Sequence, residues 1–279
     1  MLKTRIVVGV DGSYGAVAAV RWAAAEARLR EAELRVLTAY HRQQTGLHST
    51  AGGQARPVAE RDANAVVHEA VMEARSIAPD VEVRAMALPG YAVPVLLHAA
   101  EEAALLVVGA RGQGSIPGQP FGSVGGQVAT HAKGSVVVVR GRPDVGDGPV
   151  IVGVDESPAT ETIIGHAFEE AALRSAALVA LTVQSNGRRP ARSARSSAEE
   201  VLGADLDSQL GPWRAKYPGV PAQREVVGGR ADKVLLQRSQ QAQLVVVGPR
   251  GHGFEGVMLG PVGTRLVERA DCPVLIARA

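Results

Sequence analysis

A run of apolar residues that breaks into glycines lies at positions 105–124, with the sequence LLVVGARGQGSIPGQPFGSV. Its first four residues, 105–108, have the length and composition of a buried strand. Four small residues follow at fixed spacing: Gly109, Gly112, Gly122 and Ser123. Because glycine has no side chain, backbone N–H groups can approach an anion closely, and a following helix N-terminus adds its positive dipole end. The stretch is therefore predicted to bind phosphate.

The chain also repeats itself in three blocks that keep one order. RIVVGVDGS near the start matches PVIVGVDES in the second half, and LLVVGARGQG matches LVVVGPRGHG. The halves end alike, with HAKGSVVVVR and RADCPVLIAR. Three matched blocks in one order indicate a duplicated domain. We predict domains over residues 1–142 and 149–279, with a linker at 143–148 inside a stretch rich in glycine and proline.

Apolar periodicity predicts one succession of elements in both halves. The first half has strands at 6–10, 34–40, 81–88, 105–108 and 136–140, helices at 15–31, 58–77, 92–103 and 124–131, and a loop at 41–57. The second half has strands at 150–154, 178–183, 223–227, 244–247 and 274–277, and helices at 160–175, 198–217, 231–241 and 262–270. Continuous Val, Ile and Leu strands between helices indicate an α/β fold, with two tandem open parallel sheets covered by helices on both faces.

The glycines and the first repeated block converge on one crevice. In open parallel sheets, ligands bind beyond the carboxyl ends of the strands, at the switch point of the strand order. Asp11 and Gly109 both follow predicted strands and so lie at that edge. Ser13 is a candidate N-cap for the helix that comes next.

These residues resemble a tandem universal stress protein, and the resemblance covers nearly all of both halves. It rests on VVGVDGS, on VVGARG and on the spacing G-x2-G-x9-G-S, which the nucleotide-binding branch of that family uses for ATP. The resemblance implies an adenine-nucleotide α-hydrolase-like, Rossmann-like fold. It also implies an ATP site in the first half formed by Val10, Asp11, Gly12, Ser13, Ala39, Gly109, Arg111, Gly112, Gly122, Ser123 and Val124.

Roles within that site follow from the resemblance. Gly109 and Gly112 would line the ribose and phosphates, and Gly122 and Ser123 would hold phosphate through backbone N–H groups and the hydroxyl. The backbone around Ala39 would meet adenine. Beside phosphates, the Asp11 carboxylate makes a Mg²⁺ ion plausible, since Mg²⁺ favours one or two carboxylates plus phosphate oxygens. The structural alternative is that Asp11 caps the following helix and the glycines serve chain turns. Arg111 is equally well read as a solvated loop charge.

The second half departs from the motif. Gly248 and Gly251 are present, but eight residues separate Gly251 from Gly260, and Pro261 stands where the first half has a hydroxyl residue. Proline offers neither an N–H nor a hydroxyl to a phosphate. We therefore predict that the second site, formed by Asp155, Val183, Gly248, Gly251 and Gly260, binds nucleotide weakly or not at all. Asp155, with Ser157 nearby, is expected to serve as a helix cap.

Composition narrows the function classes. Aromatic residues make up 3% of the chain and the formal charge is +2, so neither stacking platforms nor a strong basic field favours nucleic acid as a partner. The locally positive stretch 188–195 is interpreted as a solvated loop. No apolar run reaches the ~18–20 residues of a membrane span. The lone Cys272 excludes an intramolecular disulfide and is interpreted as a buried small hydrophobe. A cytoplasmic location is the default expectation.

No acid–base pair, catalytic nucleophile or metal-binding histidine spacing stands out. The leading hypothesis is a non-enzymatic, ATP-binding stress or signalling regulator with an unidentified signalling partner. One alternative is a slow ATPase or nucleotidyl-transfer enzyme of the same fold, and another is a dimeric scaffold without ligand. The apolar closing strand at 136–139 is a candidate pairing edge. In the family such strands mediate dimers, so an internal pseudo-dimer of the two halves and a homodimer of chains are expected.

Overall fold

The computed structural model describes residues 4–41, 52–113, 122–143, 146–155, 157–184, 192–249 and 259–278, with the backbone alone at 52–57 and 192–199. The chain divides into two compact units, Met1–Val139 and Arg140–Ala279. In the described residues, each unit contains five strands and four helices.

The first unit is an open parallel sheet. Its strands are β1 (Arg5–Gly9), β2 (Glu33–Tyr40), β3 (Val83–Pro89), β4 (Leu105–Gly109) and β5 (Val136–Val139). Its helices are α1 (Tyr14–Leu29), α2 (Gly52–Ile77), α3 (Ala92–Glu102) and α4 (Ser123–His131). The strand order is β3-β2-β1-β4-β5. The chain therefore moves outward from β1 to β3 and returns to the other side at β4, which places a switch point between β1 and β4.

The second unit repeats this plan. Its strands are β6 (Val150–Val154), β7 (Leu178–Gln184), β8 (Ala222–Gly228), β9 (Leu244–Val247) and β10 (Val274–Ile276). Its helices are α5 (Thr160–Leu173), α6 (Arg192–Lys216), α7 (Ala231–Ser239) and α8 (Pro261–Arg269). The order β8-β7-β6-β9-β10 is parallel throughout and puts the switch point between β6 and β9.

Four strands contribute the most completely buried residues to the two units. Every residue of β5, β9 and β10 is buried, and β4 is buried up to its terminal glycine. Strands buried along their whole length are typical of parallel sheets covered on both faces. The predicted α/β fold class is confirmed.

Two helices begin earlier than predicted. Helix α2 starts at Gly52, so the predicted loop at 41–57 is wrong for residues 52–57, and residues 42–51 lie outside the described part. Helix α6 starts at Arg192, so part of the 188–195 stretch is helical and not loop, and residues 188–191 are outside the described part. The first turns, GGQARP and RSARSS, carry no apolar periodicity, which is the signal that the prediction used.

Helices α1 and α5 end two residues before the predicted ends. Glu31 and Ser175, at matching positions of the repeat, both adopt a left-handed backbone with φ of 50°. The next N–H group in each unit donates back five residues, from Ala32 to the Ala27 carbonyl at 2.8 Å and from Ala176 to the Ala171 carbonyl at 2.9 Å. A left-handed residue closed by such a bond stops a helix.

Among the described helices, none combines the length and the apolar character that crossing a bilayer requires.

Candidate functional site

The carboxyl end of β1 leads directly into helix α1. Ser13 is the N-cap, as predicted, with extended backbone angles of φ −79° and ψ 161°. Its hydroxyl accepts from the Ala16 N–H at 3.2 Å and donates to the Arg111 carbonyl at 3.3 Å. The serine therefore satisfies a first-turn donor of α1 and contacts the turn that follows β4.

Asp11 bridges the same two segments. Its Oδ1 accepts from the Ser13 N–H at 3.0 Å, and its Oδ2 accepts from the Gln113 N–H at 2.7 Å. The alternative in which Asp11 itself caps α1 is wrong, because Ser13 occupies that position. The carboxylate instead fixes the turn after β4 against the end of β1.

The glycines of this corner are required by neighbouring chain atoms. A Cβ at Gly15 would lie 2.1 Å from the Arg111 carbonyl oxygen, and one at Gly109 would lie 2.5 Å from the Gly15 carbonyl oxygen. A Cβ at Gly112 would lie 2.3 Å from Asp11 Oδ2. The close approach of α1 to the β4 turn thus explains these glycines without a ligand. Support for nucleotide binding has to come from other atoms of the site.

A cavity of about 120 Å³ opens at this corner, at the switch point of the first sheet. Most of the predicted first-site residues line it: Val10, Asp11, Ala39, Gly109, Arg111, Gly112, Gly122, Ser123 and Val124. Gly12 and Ser13 do not, and Gly12 lines a different cavity between α1 and α2. The prediction missed Gly9, Ala16, Leu37, Ala92, Leu96, Val108 and Gly125, which also line it. The start of α3 gave no motif that could have revealed Ala92 or Leu96.

The end of β2 presents backbone groups to this cavity. The Leu37 carbonyl accepts from the Val10 N–H at 2.9 Å, toward β1, and the Tyr40 carbonyl accepts from the Gly90 N–H at 2.9 Å, toward β3. Backbone groups alternate sides along a strand, so those of Ala39 point to the β1 side, beyond the last residue of β1. A planar ligand edge there meets one N–H and one carbonyl.

The N-terminus of α4 forms the opposite wall. Gly122 is its N-cap and supplies no side-chain cap. The expected phosphate contact from the Gly122 N–H is not available in this arrangement, because that group donates to the Ala110 carbonyl at 2.9 Å. The first-turn N–H groups of Ser123, Val124 and Gly125, together with the Ser123 hydroxyl, are the groups at the positive end of the helix.

The structure offers no preformed metal cage in its described part, where no group of three or more His, Cys, Asp or Glu side chains comes together. Each carboxylate oxygen of Asp11 already accepts one backbone N–H. A Mg²⁺ ion at this corner would therefore take most of its ligands from phosphate oxygens and water.

The second unit has a corresponding cavity of about 320 Å³. Asp155, Val183, Gly248 and Gly260 line it, and Gly251 lies outside the described residues. Asp155 Oδ1 accepts from the Ser157 N–H at 3.0 Å, as Asp11 does from Ser13. The expectation that Asp155 caps the next helix is wrong, because the N-cap of α5 is Ala159.

The start of α8 differs from the start of α4 at one position. Gly260 is the N-cap, and its N–H donates to the Pro249 carbonyl at 2.7 Å, just as Gly122 donates to Ala110. Pro261 then occupies the first helical position, where proline is favourable for the helix. It leaves Val262 and Gly263 as first-turn donors. The second site therefore has one N–H and one hydroxyl fewer.

Cavity volume and donor number favour different units. Small-molecule pockets usually measure ~300–1,000 Å³, so the second cavity, at about 320 Å³, has more room than the first, at about 120 Å³. Phosphate binding depends on N–H and hydroxyl donors more than on enclosed volume, because a polyphosphate can extend across a helix N-terminus into solvent. The first site has more N–H and hydroxyl donors for phosphate than the second.

Open parallel sheets with a helix N-terminus facing the switch-point crevice define a class of α/β domains suited to nucleotides and other anions. The family model described as the universal stress protein family matches residues 3–140 and 148–278. The chain therefore belongs to the universal stress protein family and carries two copies of its domain.

Relatives match over the full length of the chain. The universal stress protein Rv2623 of Mycobacterium tuberculosis strain H37Rv is 36% identical over 293 residues, covering 98% of this chain and 96% of its own. A universal stress protein structure from Archaeoglobus fulgidus, 17% identical, superposes with a TM-score of 0.72 over 100% of this chain and 99% of its own. A universal stress protein solved in complex with cAMP is 30% identical, covers 50% of this chain and 97% of its own, and has a TM-score of 0.38.

Proposed function

We propose that this universal stress protein binds an adenine nucleotide, ATP in the first instance, at the switch point of its first unit. The proposal rests on one cavity with two walls that offer different groups to a ligand. The first turn of α4, from Ser123, provides N–H and hydroxyl donors for phosphate, and the backbone of Ala39 provides a donor and an acceptor for a base edge. An adenine nucleotide needs both walls.

In the proposed complex the phosphates lie at the N-terminus of α4, and Arg111 adds a positive charge from the cavity wall. The ribose lies beside Gly109, and adenine meets the end of β2. Mg²⁺, where it binds, is held mainly by the phosphates, with Asp11 as the nearest carboxylate of the proposed site. The second unit binds nucleotide more weakly, because Pro261 removes a donor pair from the first turn of α8.

The protein is proposed to act as a nucleotide-responsive regulator and not as a catalyst. Among the described side chains that line the first cavity, Asp11 is the single carboxylate, and backbone N–H groups hold both of its oxygens. A carboxylate held in this way is a poor general base for water. The alternative, a slow ATPase or nucleotidyl-transfer enzyme, requires ATP turnover that Asp11→Ala abolishes.

The test is a substitution that converts one site into the other. Ser123→Pro gives α4 the first residue of α8, which the helix tolerates. It removes one N–H and one hydroxyl, and hydrogen bonds to charged groups contribute about 1.5–3 kcal/mol each. We expect the ATP affinity of the first site to fall by at least roughly 100-fold, measured by equilibrium dialysis and calorimetry.

Tyr14→Pro is the matched control, since it also places proline at the first position of a helix but outside the cavity lining. It should leave ATP binding unchanged. Pro261→Ser should strengthen binding at the second site, and nucleotide that co-purifies with the wild type should count near one per chain. Equal affinity in wild type and Ser123→Pro, or two tightly bound nucleotides per chain, would contradict the proposal.

Assembly as a homodimer, a signalling partner and a cytoplasmic location stay predictions from the sequence and the family resemblance.

A further inference from the structure

A further cavity, away from the switch points of the two sheets, lies between α5 and α6 and has a volume of about 540 Å³. None of its lining residues belongs to the cavity at the switch point of the second sheet. Its walls combine the start of α5 with one face of α6. We refer to it as the α5–α6 cavity, and its lining is Ser157, Pro158, Thr160, Glu161, Ser208, Gln209, Pro212, Trp213 and Lys216.

Ser157 has lost the role that its counterpart has in the first unit. Ser13 caps α1 through its hydroxyl. In the second unit α5 begins later in the repeat, at Thr160, and its N-cap, Ala159, provides no side-chain bond. The Ser157 hydroxyl is buried and has no hydrogen-bond partner in the described part of the chain. Ser157 and the start of a helix that has no side-chain cap therefore lie in one wall, and the positive end of the helix favours a negatively charged group.

Gln209 contributes a second unsatisfied atom. Its Nε2 donates to Asp205 Oδ2 at 2.7 Å, and because a carboxylate only accepts, this bond fixes which end of the amide is nitrogen. Its Oε1 is buried without a partner among the described residues. A carbonyl oxygen can only accept, so it needs an N–H or O–H donor. Leaving such groups unsatisfied costs about 1–3 kcal/mol each.

The remaining lining supplies both charges and an apolar body. The Lys216 ammonium lies 5.0 Å from the centroid of the Trp213 ring, and no salt bridge pairs it in the described structure. Glu161, in the first turn of α5, adds a negative charge. Pro158 and Pro212 add apolar surface. A simple anion would be repelled by Glu161 and a simple cation by Lys216, whereas a molecule with both charges satisfies both.

The aromatic wall is firmly packed. Trp213 stacks with Phe168 at 6.4 Å and with Tyr217 at 6.3 Å between ring centroids. Gly165 allows its close approach, because a Cβ there would lie 2.5 Å from the Trp213 ring. The chain has nine Phe, Trp and Tyr residues in all, and three of them form this cluster. The cavity between α1 and α2 of the first unit, about 210 Å³, has no aromatic residue among the described residues that line it.

We propose that the α5–α6 cavity binds a small zwitterion of the free amino acid class. The carboxylate lies toward Lys216, the Ser157 hydroxyl and the start of α5. The ammonium donates to Gln209 Oε1 and faces Glu161, and the side chain packs on the prolines and Trp213. Since Ser157 Oγ and Gln209 Oε1 are buried, binding includes a rotation of these side chains toward the cavity. The proposal does not depend on nucleotide binding.

The test uses the full chain and the twenty common amino acids, each titrated to 10 mM by calorimetry. Trp213 reports the site, because Trp22→Phe leaves it as the single tryptophan of the chain. We expect at least one amino acid to bind and to change Trp213 fluorescence. Its carboxamide, which lacks the carboxylate, and its des-amino acid, which lacks the ammonium, should each bind at least 10-fold more weakly.

Gln209→Leu and Ser157→Ala should each weaken binding roughly 10-fold, and Ser13→Ala, the same change in the first unit, should not. Lys216→Gln should remove the preference for the amino acid over its carboxamide. Binding by none of the twenty, binding that leaves Trp213 fluorescence unchanged, or affinities that are the same in Gln209→Leu and wild type would each overturn the proposal.

Discussion

The two units share the block Val-Gly-Val-Asp, which is followed by Gly-Ser-Tyr-Gly in the first unit and by Glu-Ser-Pro-Ala in the second. In the first, Ser13 caps a helix that begins at once. In the second, the helix begins at Thr160 and the Ser157 hydroxyl has no partner in the described structure. The matching serine is thus a helix cap in one copy, whereas in the other its hydroxyl is buried and has no partner among the described residues.

The last of these four residues, Gly15 in the first unit and Ala159 in the second, accounts for the different helix starts. The start of α1 approaches the Arg111 carbonyl so closely that a Cβ at position 15 would lie 2.1 Å from it. Alanine cannot make that approach, and the second unit has Ala159 there. Helix α5 instead starts two positions later in the repeat than α1, at Thr160, and is held by a bond from the Thr160 hydroxyl to the Asp155 carbonyl at 2.5 Å. The two copies therefore share the fold, but the serine hydroxyl that caps α1 in the first copy has no counterpart as a cap of α5 in the second.

The largest expected effect concerns another position where the copies differ. A Cβ at Gly134 would lie 2.6 Å from the Ala100 carbonyl oxygen, whereas the second unit has Cys272 at the matching position, fully buried. Burial raises the pKa of the Cys272 thiol from 9.0 to about 12. At pH 8 the folded thiol should react with iodoacetamide far more slowly than the thiol of the unfolded chain, because the side chain is enclosed and because only the thiolate reacts.

The pH dependence of this thiol has a definite sign. Its folded pKa is raised, so the stability that it contributes is complete below pH 9 and is lost as the pH rises from about 9 toward 12. Mass spectrometry of the labelled protein measures the rate, with the urea-unfolded chain as reference. Labelling of the native protein at the rate of the unfolded chain would show that the second unit does not enclose position 272.

The next largest expected effect is on the stability of the contact between the start of α1 and the turn after β4. Gly15→Ala should destabilise the first unit by at least ~2 kcal/mol, since a Cβ 2.1 Å from a backbone oxygen forces the start of α1 away from the β4 turn. The reverse change at the matching position, Ala159→Gly, should cost no more than about 0.5 kcal/mol. Urea denaturation measures both, and hydrogen exchange locates the loss in α1 or α5. Similar losses in the two variants would contradict this account of where α5 begins.

The strands and the crevice could be predicted from the sequence, because buried parallel strands and glycine spacing are local signals. The starts of α2 and α6 could not, since their first turns are polar and lack periodicity. The start of α5 at residue 160 was predicted correctly. That the Ser157 hydroxyl lacks a partner among the described residues could not be predicted, because it depends on contacts between segments far apart in the chain.

The glycine motif illustrates the same limit at the candidate site. Its spacing predicted the crevice, and Gly109 and Gly112 both line it. These two positions nevertheless require glycine because Gly15 packs against Gly109 and Asp11 packs against Gly112, which leaves no room for a side chain. The Gly122 N–H, expected to hold phosphate, bonds to Ala110 instead. Ser123 against Pro261 remains the difference that bears most directly on phosphate, and it could be read from the repeat.

The smallest expected effect is the change in the free energy of unfolding when Ser13 or Ser157 is replaced by alanine, and it compares the two serines directly. Ser13→Ala removes the N-cap of α1 and should cost about 1 kcal/mol of the free energy of unfolding. Ser157→Ala removes a buried hydroxyl that has no partner in the described structure, so in dialysed protein it should not destabilise and should stabilise by as much as the cost of the unsatisfied hydroxyl exceeds its packing contribution. Paired urea denaturation curves measure the difference, and amide exchange should quicken at the start of α1 but not at the start of α5. If Ser157→Ala cost as much as Ser13→Ala, the hydroxyl would have a structural partner after all, and the contrast between the two corners would fail at its central residue.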